Sequence, residues 1–129
     1  MKLEDQVCSK ELAIELHKLG ITNPSLFYWE YTGSAKFERW ENGEPDYCED
    51  NICAYTVAEL GEMLPAKIRV EGMRLYLKIW RNGEENLWSV SYCEFDHGIR
   101  HQLFSETEAD ARAKMLIYLI ENKLLTPQK

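Results

Sequence analysis

No stretch of this chain is long and apolar enough to cross a bilayer as a helix; an uncharged hydrophobic run of roughly 18 residues, the least a spanning helix needs, is missing. The opening residues, MKLEDQ, are charged rather than apolar, so they do not read as a secretory signal. Internal repeats and low-complexity segments are absent. So are the glycine-rich phosphate loop, the Gly-x-Ser-x-Gly nucleophile turn and the His-Glu-x-x-His metal motif, which removes the enzyme classes that short motifs reveal. Cysteine is sparse: Cys8, Cys48, Cys53 and Cys93, with no Cys-x-x-Cys knuckle. Without a secretory signal these are expected to be reduced thiols in a cytoplasmic protein. Basic residues are outnumbered 22 to 15, giving a net charge of -7, which repels phosphate and anionic lipid and makes nucleic acid an unexpected partner for the chain as a whole.

What is present suits a single α+β domain over residues 1–129. A chain of this length buries roughly two thirds of its unfolded surface and needs no disulfide or metal staple to fold. Four Trp, seven Tyr and four Phe are enough to dominate so small a core. Residues 9–19 have Leu12, Leu16 and Leu19 at helical spacing, with Gly20 positioned as a left-handed cap and Ile21 able to fold back. Residues 26–31 (LFYWEY) are β-favouring and aromatic, and residues 35–40 are their expected partner strand. Residues 41–51 are polar and acidic and are expected to form a loop. A second helix is predicted from Thr56, where Thr56 and Glu59 have capping-box spacing, to Pro65, which cannot continue it. The last helix is predicted over residues 106–124, with Ser105 and Glu108 as a second capping box. Its apolar residues run almost all round, so it requires cover from the sheet and from another helix or a second subunit; a homodimer through this helix is one such arrangement.

The strongest local signal is a hairpin. Residues 73–81 alternate, with Met73, Leu75, Leu77 and Ile79 on one face, and residues 87–95 alternate with Trp88, Val90 and Tyr92 on one face. Asn82-Gly83 between them favours a tight turn. A two-residue loop pairs Leu77 with Trp88 and Leu75 with Val90; a four-residue loop shifts the partners but keeps the faces. A three-residue loop would turn Ser89 and Ser91 toward the core and is rejected. Residues 68–70 are a further candidate strand. The predicted order is α-β-β-α-β-β-α, with one antiparallel sheet of four to five strands and three helices packed mainly on one face.

Four stretches, VCSKELA at 7–13, LFYW at 26–29, YTVAELGEMLP at 55–65 and ETEADARAKMLIYLIEN at 106–122, resemble small uncharacterised proteins encoded by bacteriophages and prophages. The resemblance spans most of the chain but consists of helix caps and core stripes. It implies a bacterial cytoplasm and a phage accessory role, and it assigns no catalytic residue.

Three constellations carry chemistry. Cys93, His97 and His101 are spaced by four, and Cys48 and Cys53 could approach them; thiolates and imidazoles are the ligands zinc prefers. The alternative makes Cys93 a small buried hydrophobe and the histidines loop residues. Cys93 beside His97 is also the one candidate nucleophile–base pair for a small enzyme. The acidic loop lacks the ligand ladder of a calcium-binding EF-hand and reads as solvated; as a mimic of nucleic acid it would suit a protein that blocks a host DNA-binding factor. The third is the outer side of the hairpin, where Arg74, Tyr76, Lys78 and Trp80 alternate, with Lys67, Arg69 and Arg81 adding charge. Such a face either is covered by a neighbour or stays open to bind. If open, it fits a protein partner, a host factor for instance, because Trp, Tyr and Arg anchor interfaces, or a single-stranded nucleic acid. The reading is a non-enzymatic interaction module, with a zinc protein or small enzyme as the alternative class.

Overall fold

The computed structural model describes residues 2–30, 35–37, 51–94 and 98–127. Within them the chain is α+β. A 3-10 turn, Leu3–Gln6, precedes helix α1 (Lys10–Lys18), strands β1 (Phe27–Glu30), β2 (Ala35–Phe37) and β3 (Asn51–Cys53), helix α2 (Val57–Met63), strands β4 (Lys67–Val70), β5 (Met73–Asn82), β6 (Leu87–Glu94) and β7 (Gly98–Ser105), and helix α3 (Glu108–Glu121). The acidic stretch 41–50, with the far ends of the first two predicted strands, Tyr31 and Trp40, lies outside the described residues.

The first helix begins and ends as its residues dictate. The Ser9 hydroxyl accepts from the Leu12 N–H at 3.4 Å. At the other end Gly20, at φ 95°, lets the Ile21 N–H reach back to the Leu16 carbonyl and its own N–H to that of His17, so Ile21 folds into the core. The capping box of α2 is complete: the Thr56 hydroxyl accepts from the Glu59 N–H at 3.1 Å, and Glu59 Oε1 accepts from the Thr56 N–H at 2.8 Å. The same carboxylate takes the Ser25 hydroxyl at 2.8 Å and the Leu26 N–H at 3.1 Å, so one side chain fixes both the start of α2 and the entry to β1.

The strands divide into two antiparallel sheets rather than the predicted one. Three strands run in the order β2-β1-β3 and four in the order β4-β5-β6-β7. The hairpin closes through four residues, 83–86, between the paired Asn82 and Leu87. Leu77 faces Tyr92, Ile79 faces Val90, and Leu75 and Val90 are wholly buried, with Leu77 and Ile79 half-buried at the margin of the same core. Asn82 acts through its side chain, which accepts from the Glu84 and Glu85 N–H groups, and the left-handed residue is Asn86, at φ 54°. Strands β3 and β7 have no counterpart in the predicted order. In β7 the period is broken by a register shift: Tyr92 pairs with His101 but Cys93 with Ile99, leaving one residue over and hiding the alternation.

Helix α3 is capped by Thr107, whose hydroxyl accepts from the Asp110 N–H at 3.1 Å, and not by Ser105. Ser105 is still in β7, paired with Trp88. Glu108 holds Arg112 one turn on, with its Oε2 2.8 Å from Nε, instead of turning back to close a box. The helix packs against β6 and β7 on one side and α1 and α2 on the other. Ala109, Ala111, Ala113, Met115, Leu116 and Leu119 are wholly buried, in one core with Leu16, Leu60, Leu75, Val90 and Tyr92. Much of the apolar width that suggested a homodimer is therefore covered by the chain's own helices and sheet, while Ile117, Tyr118, Ile120 and Leu124 stay half-buried. No helix among the described residues is long and apolar enough to cross a membrane.

A candidate binding face

Strand pairing sorts the four-stranded sheet into two sides. On the inner side Ile68 stands beside Leu75, and the rows Leu77–Tyr92–His101 and Ile79–Val90–Leu103 lie toward α3. The outer side carries Arg69 beside Arg74, Lys67 beside Tyr76 and Cys93, Lys78 beside Ser91 and Gln102, and Trp80 beside Ser89 and Phe104. The four residues singled out from the sequence, Arg74, Tyr76, Lys78 and Trp80, thus stand in one column of one face. Tyr76 is 40% exposed and Phe104 44%, while Trp80 is half-buried and the four cations are exposed. Arg81 does not join them: it pairs with Trp88 on the opposite side, where its guanidinium bonds Asn86 Oδ1.

The centre of this face is small and polar. Ser89 and Ser91 have no exposed surface. Gln102 Nε2 donates to Ser89 Oγ at 2.8 Å, and Ser91 Oγ lies 3.4 Å from the Lys78 carbonyl, so the floor is satisfied internally. Lys78 Nζ sits 5.2 Å from the centroid of the Trp80 ring, a cation–π contact. The face thus combines rings and cations. In a chain of net charge -7, the described strand positions of this face hold Lys67, Arg69, Arg74 and Lys78 and no carboxylate. Phe104 and Gln102 escaped the sequence reading because they belong to β7; once that strand is recognised, their pairing with Ser89 and Ser91 puts them here.

The zinc set is not brought together by its described members. Cys93 lies on the outer side, its Sγ 3.3 Å from Ser91 Oγ. His101 lies on the inner side, where its Nδ1 is 2.8 Å from the Tyr118 hydroxyl and its ring stacks at 5.1 Å on that of Tyr118. A sheet therefore separates the two, because cross-strand neighbours share a side and the register shift falls between their rows. Cys53 belongs to the other sheet and is buried beside β1. Cys48 and His97 lie outside the described residues. No group of three or more His, Cys, Asp or Glu side chains among the described residues could hold a metal ion.

Burial makes Cys8 unsuited to nucleophilic work. Cys8 and Cys93 are not in disulfides. Burial pushes the Cys8 thiol up to about 12, which keeps it protonated and inert. Burial also raises the Tyr92 hydroxyl, which donates to the Pro65 carbonyl at 2.7 Å and acts as a structural strut. Asp110, raised chiefly by desolvation, accepts from the Ser9 N–H at 2.7 Å and joins the start of α1 to that of α3.

No family model, curated protein or solved structure matches this chain. The functional argument therefore rests on the face itself.

Proposed function

We propose that this chain is a non-enzymatic binding protein, an accessory of phage or prophage origin acting in the bacterial cytoplasm, and that it meets its partner through the outer face of the β4–β7 sheet. One observation carries the reading: exposed rings and four cations are gathered on a single open face of an acidic protein. Aromatic residues on a surface cost solvation unless something covers them, and rings combined with basic side chains are the usual anchors of recognition surfaces. The separation of Cys93 from His101 and the protonated state of Cys8 weigh against the enzyme alternative among the described residues. The phage context is supported by the resemblance of the helix caps and core stripes.

Site-specific crosslinking tests the reading. A photoreactive residue in place of Lys78 or Phe104 is expected to capture a bacterial macromolecule, whereas the same group in place of exposed Glu121, on α3, is not. Equal capture from all three positions, or none from the first two, would overturn it.

A further inference from the structure

We infer that the partner taken by this face is a single-stranded nucleic acid. The inference rests on the binding-face reading above and names its occupant. Three observations favour it over a protein.

The first is charge. Lys67, Arg69, Arg74 and Lys78 stand within the face with no carboxylate among its described strand positions, against a net charge of -7 for the chain. The Lys67–Lys78 part of the face favours an anion and repels a second copy of itself presented face to face, while its Phe104 end borders a pocket lined by Glu4, Asp5, Glu11 and Glu106.

The second is the kind of ring surface offered. Tyr76 and Trp80 stand four residues apart on the interior strand β5 and Phe104 on the edge strand β7, and Tyr76 and Phe104 are 40% and 44% exposed. Aromatic side chains standing on a sheet stack with bases whatever their identity, while cations beside them hold the phosphates. Between the rings lies a polar floor of Ser89, Ser91 and Gln102 whose hydrogen bonds are made internally.

The third is size. From the row of Arg74 to that of Trp80 the face runs about 20 Å; β4 flanks only the Arg74 and Tyr76 rows, so the far half is three strands, about 10 Å, wide and the area is long and narrow. Site sizes for single strands on sheet surfaces begin at about four nucleotides, which this area accommodates. A duplex is excluded by the same geometry, since its bases are stacked on one another and offer no free ring faces.

The test uses the full chain with labelled twelve-nucleotide single strands of DNA and RNA, the corresponding duplex, and a glutamate-rich peptide of matching charge. The single strands are expected to bind at low salt and the duplex much more weakly. Neutralising four phosphates gives a slope of log K against log salt near -3, about -0.7 for each. Tyr76→Leu and Phe104→Leu, which keep apolar bulk, are expected to weaken binding roughly tenfold each, the scale of one lost stacking contact. Arg74→Gln and Lys78→Gln should each flatten the salt slope by about 0.7. Circular dichroism and urea melts of each variant establish that the fold is intact. Absence of single-strand binding at low salt, equal affinity for duplex, or full affinity in both leucine variants would overturn the inference. If the acidic peptide alone binds, and Lys78→Gln weakens it, the inference falls while the binding-face reading stands. If neither probe binds and crosslinking at 78 and 104 also fails, both fall.

Discussion

Removing the Glu59 carboxylate is expected to destabilise the protein by about 2–3 kcal/mol, although the residue is neither in the core nor paired with a cation. The magnitude follows from the bonds it makes. Its reciprocal bond with the Thr56 N–H completes the α2 cap, and a cap is worth about 1 kcal/mol. The Ser25 hydroxyl, on a residue only 5% exposed, contributes about 1 kcal/mol, the low end for a bond to a charged group because the Ala54 carbonyl at 3.1 Å offers it a second acceptor. The Leu26 N–H is open to water and adds about 0.5 kcal/mol. With an unfolding entropy of about 2.1 cal/mol/K per residue, the loss in Glu59→Ala lowers Tm by roughly 9 °C. Glu59→Gln is the sharper variant. Its oxygen still serves Thr56 and Ser25, but its NH2 group is turned against the Leu26 N–H, and the expected cost is about 1 kcal/mol. Thr56→Ala alone is expected to cost about 1 kcal/mol, and the Thr56→Ala/Glu59→Ala double variant less than the sum, because the two share one cap. Urea denaturation with unchanged m-values measures all four. A Glu59→Ala loss below about 0.5 kcal/mol, or strict additivity in the cycle, would refute the claim that one side chain ties α2 to β1.

Two further outcomes follow from groups displaced in pKa or reach. Asp110 has a raised folded-state pKa, so its ionised form is disfavoured on folding. The penalty is full above that raised pKa and is relieved as pH falls toward the ordinary carboxylate range. Asp110→Asn keeps an acceptor for the Ser9 N–H, and urea melts across pH 7 to 4 should show it at least as stable as wild type at the upper end, with the difference closing as acidity rises; a marked loss at pH 7 would contradict this. In a Cys48→Ser background, peptide mapping after brief iodoacetamide treatment is expected to find half-exposed Cys93 modified ahead of Cys8 and Cys53, with Cys8 labelled only on unfolding; early labelling of Cys8 would mean that α1 does not seal it.

Much of the scaffold was legible in the sequence because it is written in local chemistry. Gly20, Thr56, Glu59 and Pro65 delimit helices through local chemistry, and the alternation of residues 73–81 and 87–95 set the hairpin's parity, which any even-numbered loop preserves. The losses occur where a non-local partner decides. Strand β7 reads as Ile-Arg-His-Gln-Leu-Phe-Ser, with an odd residue where the register shifts, so its period is visible only beside β6. Strand β3 is three residues long and is defined by its pairing with β1. Ser105 has the spacing of a cap, but the sheet retains it and Thr107 takes the role. For the candidate face, the column from Arg74 to Trp80 could be read from one strand, whereas Phe104 and Gln102 required the next. Of the proposed ligands Cys93, His97, His101, Cys48 and Cys53, the pair described on the four-stranded sheet, Cys93 and His101, is kept apart for the same reason: spacing in sequence does not reveal that the two residues emerge from opposite sides of a sheet.

The bond from the Ser9 N–H to Asp110 joins residues 101 positions apart. A nascent chain leaving the ribosome therefore exposes its opening helix long before the carboxylate that fastens it has been made. Fragments stopping short of residue 108 leave Leu16, Leu75 and Tyr92 without the helix that completes their core, as material for chaperones and proteases rather than partial function.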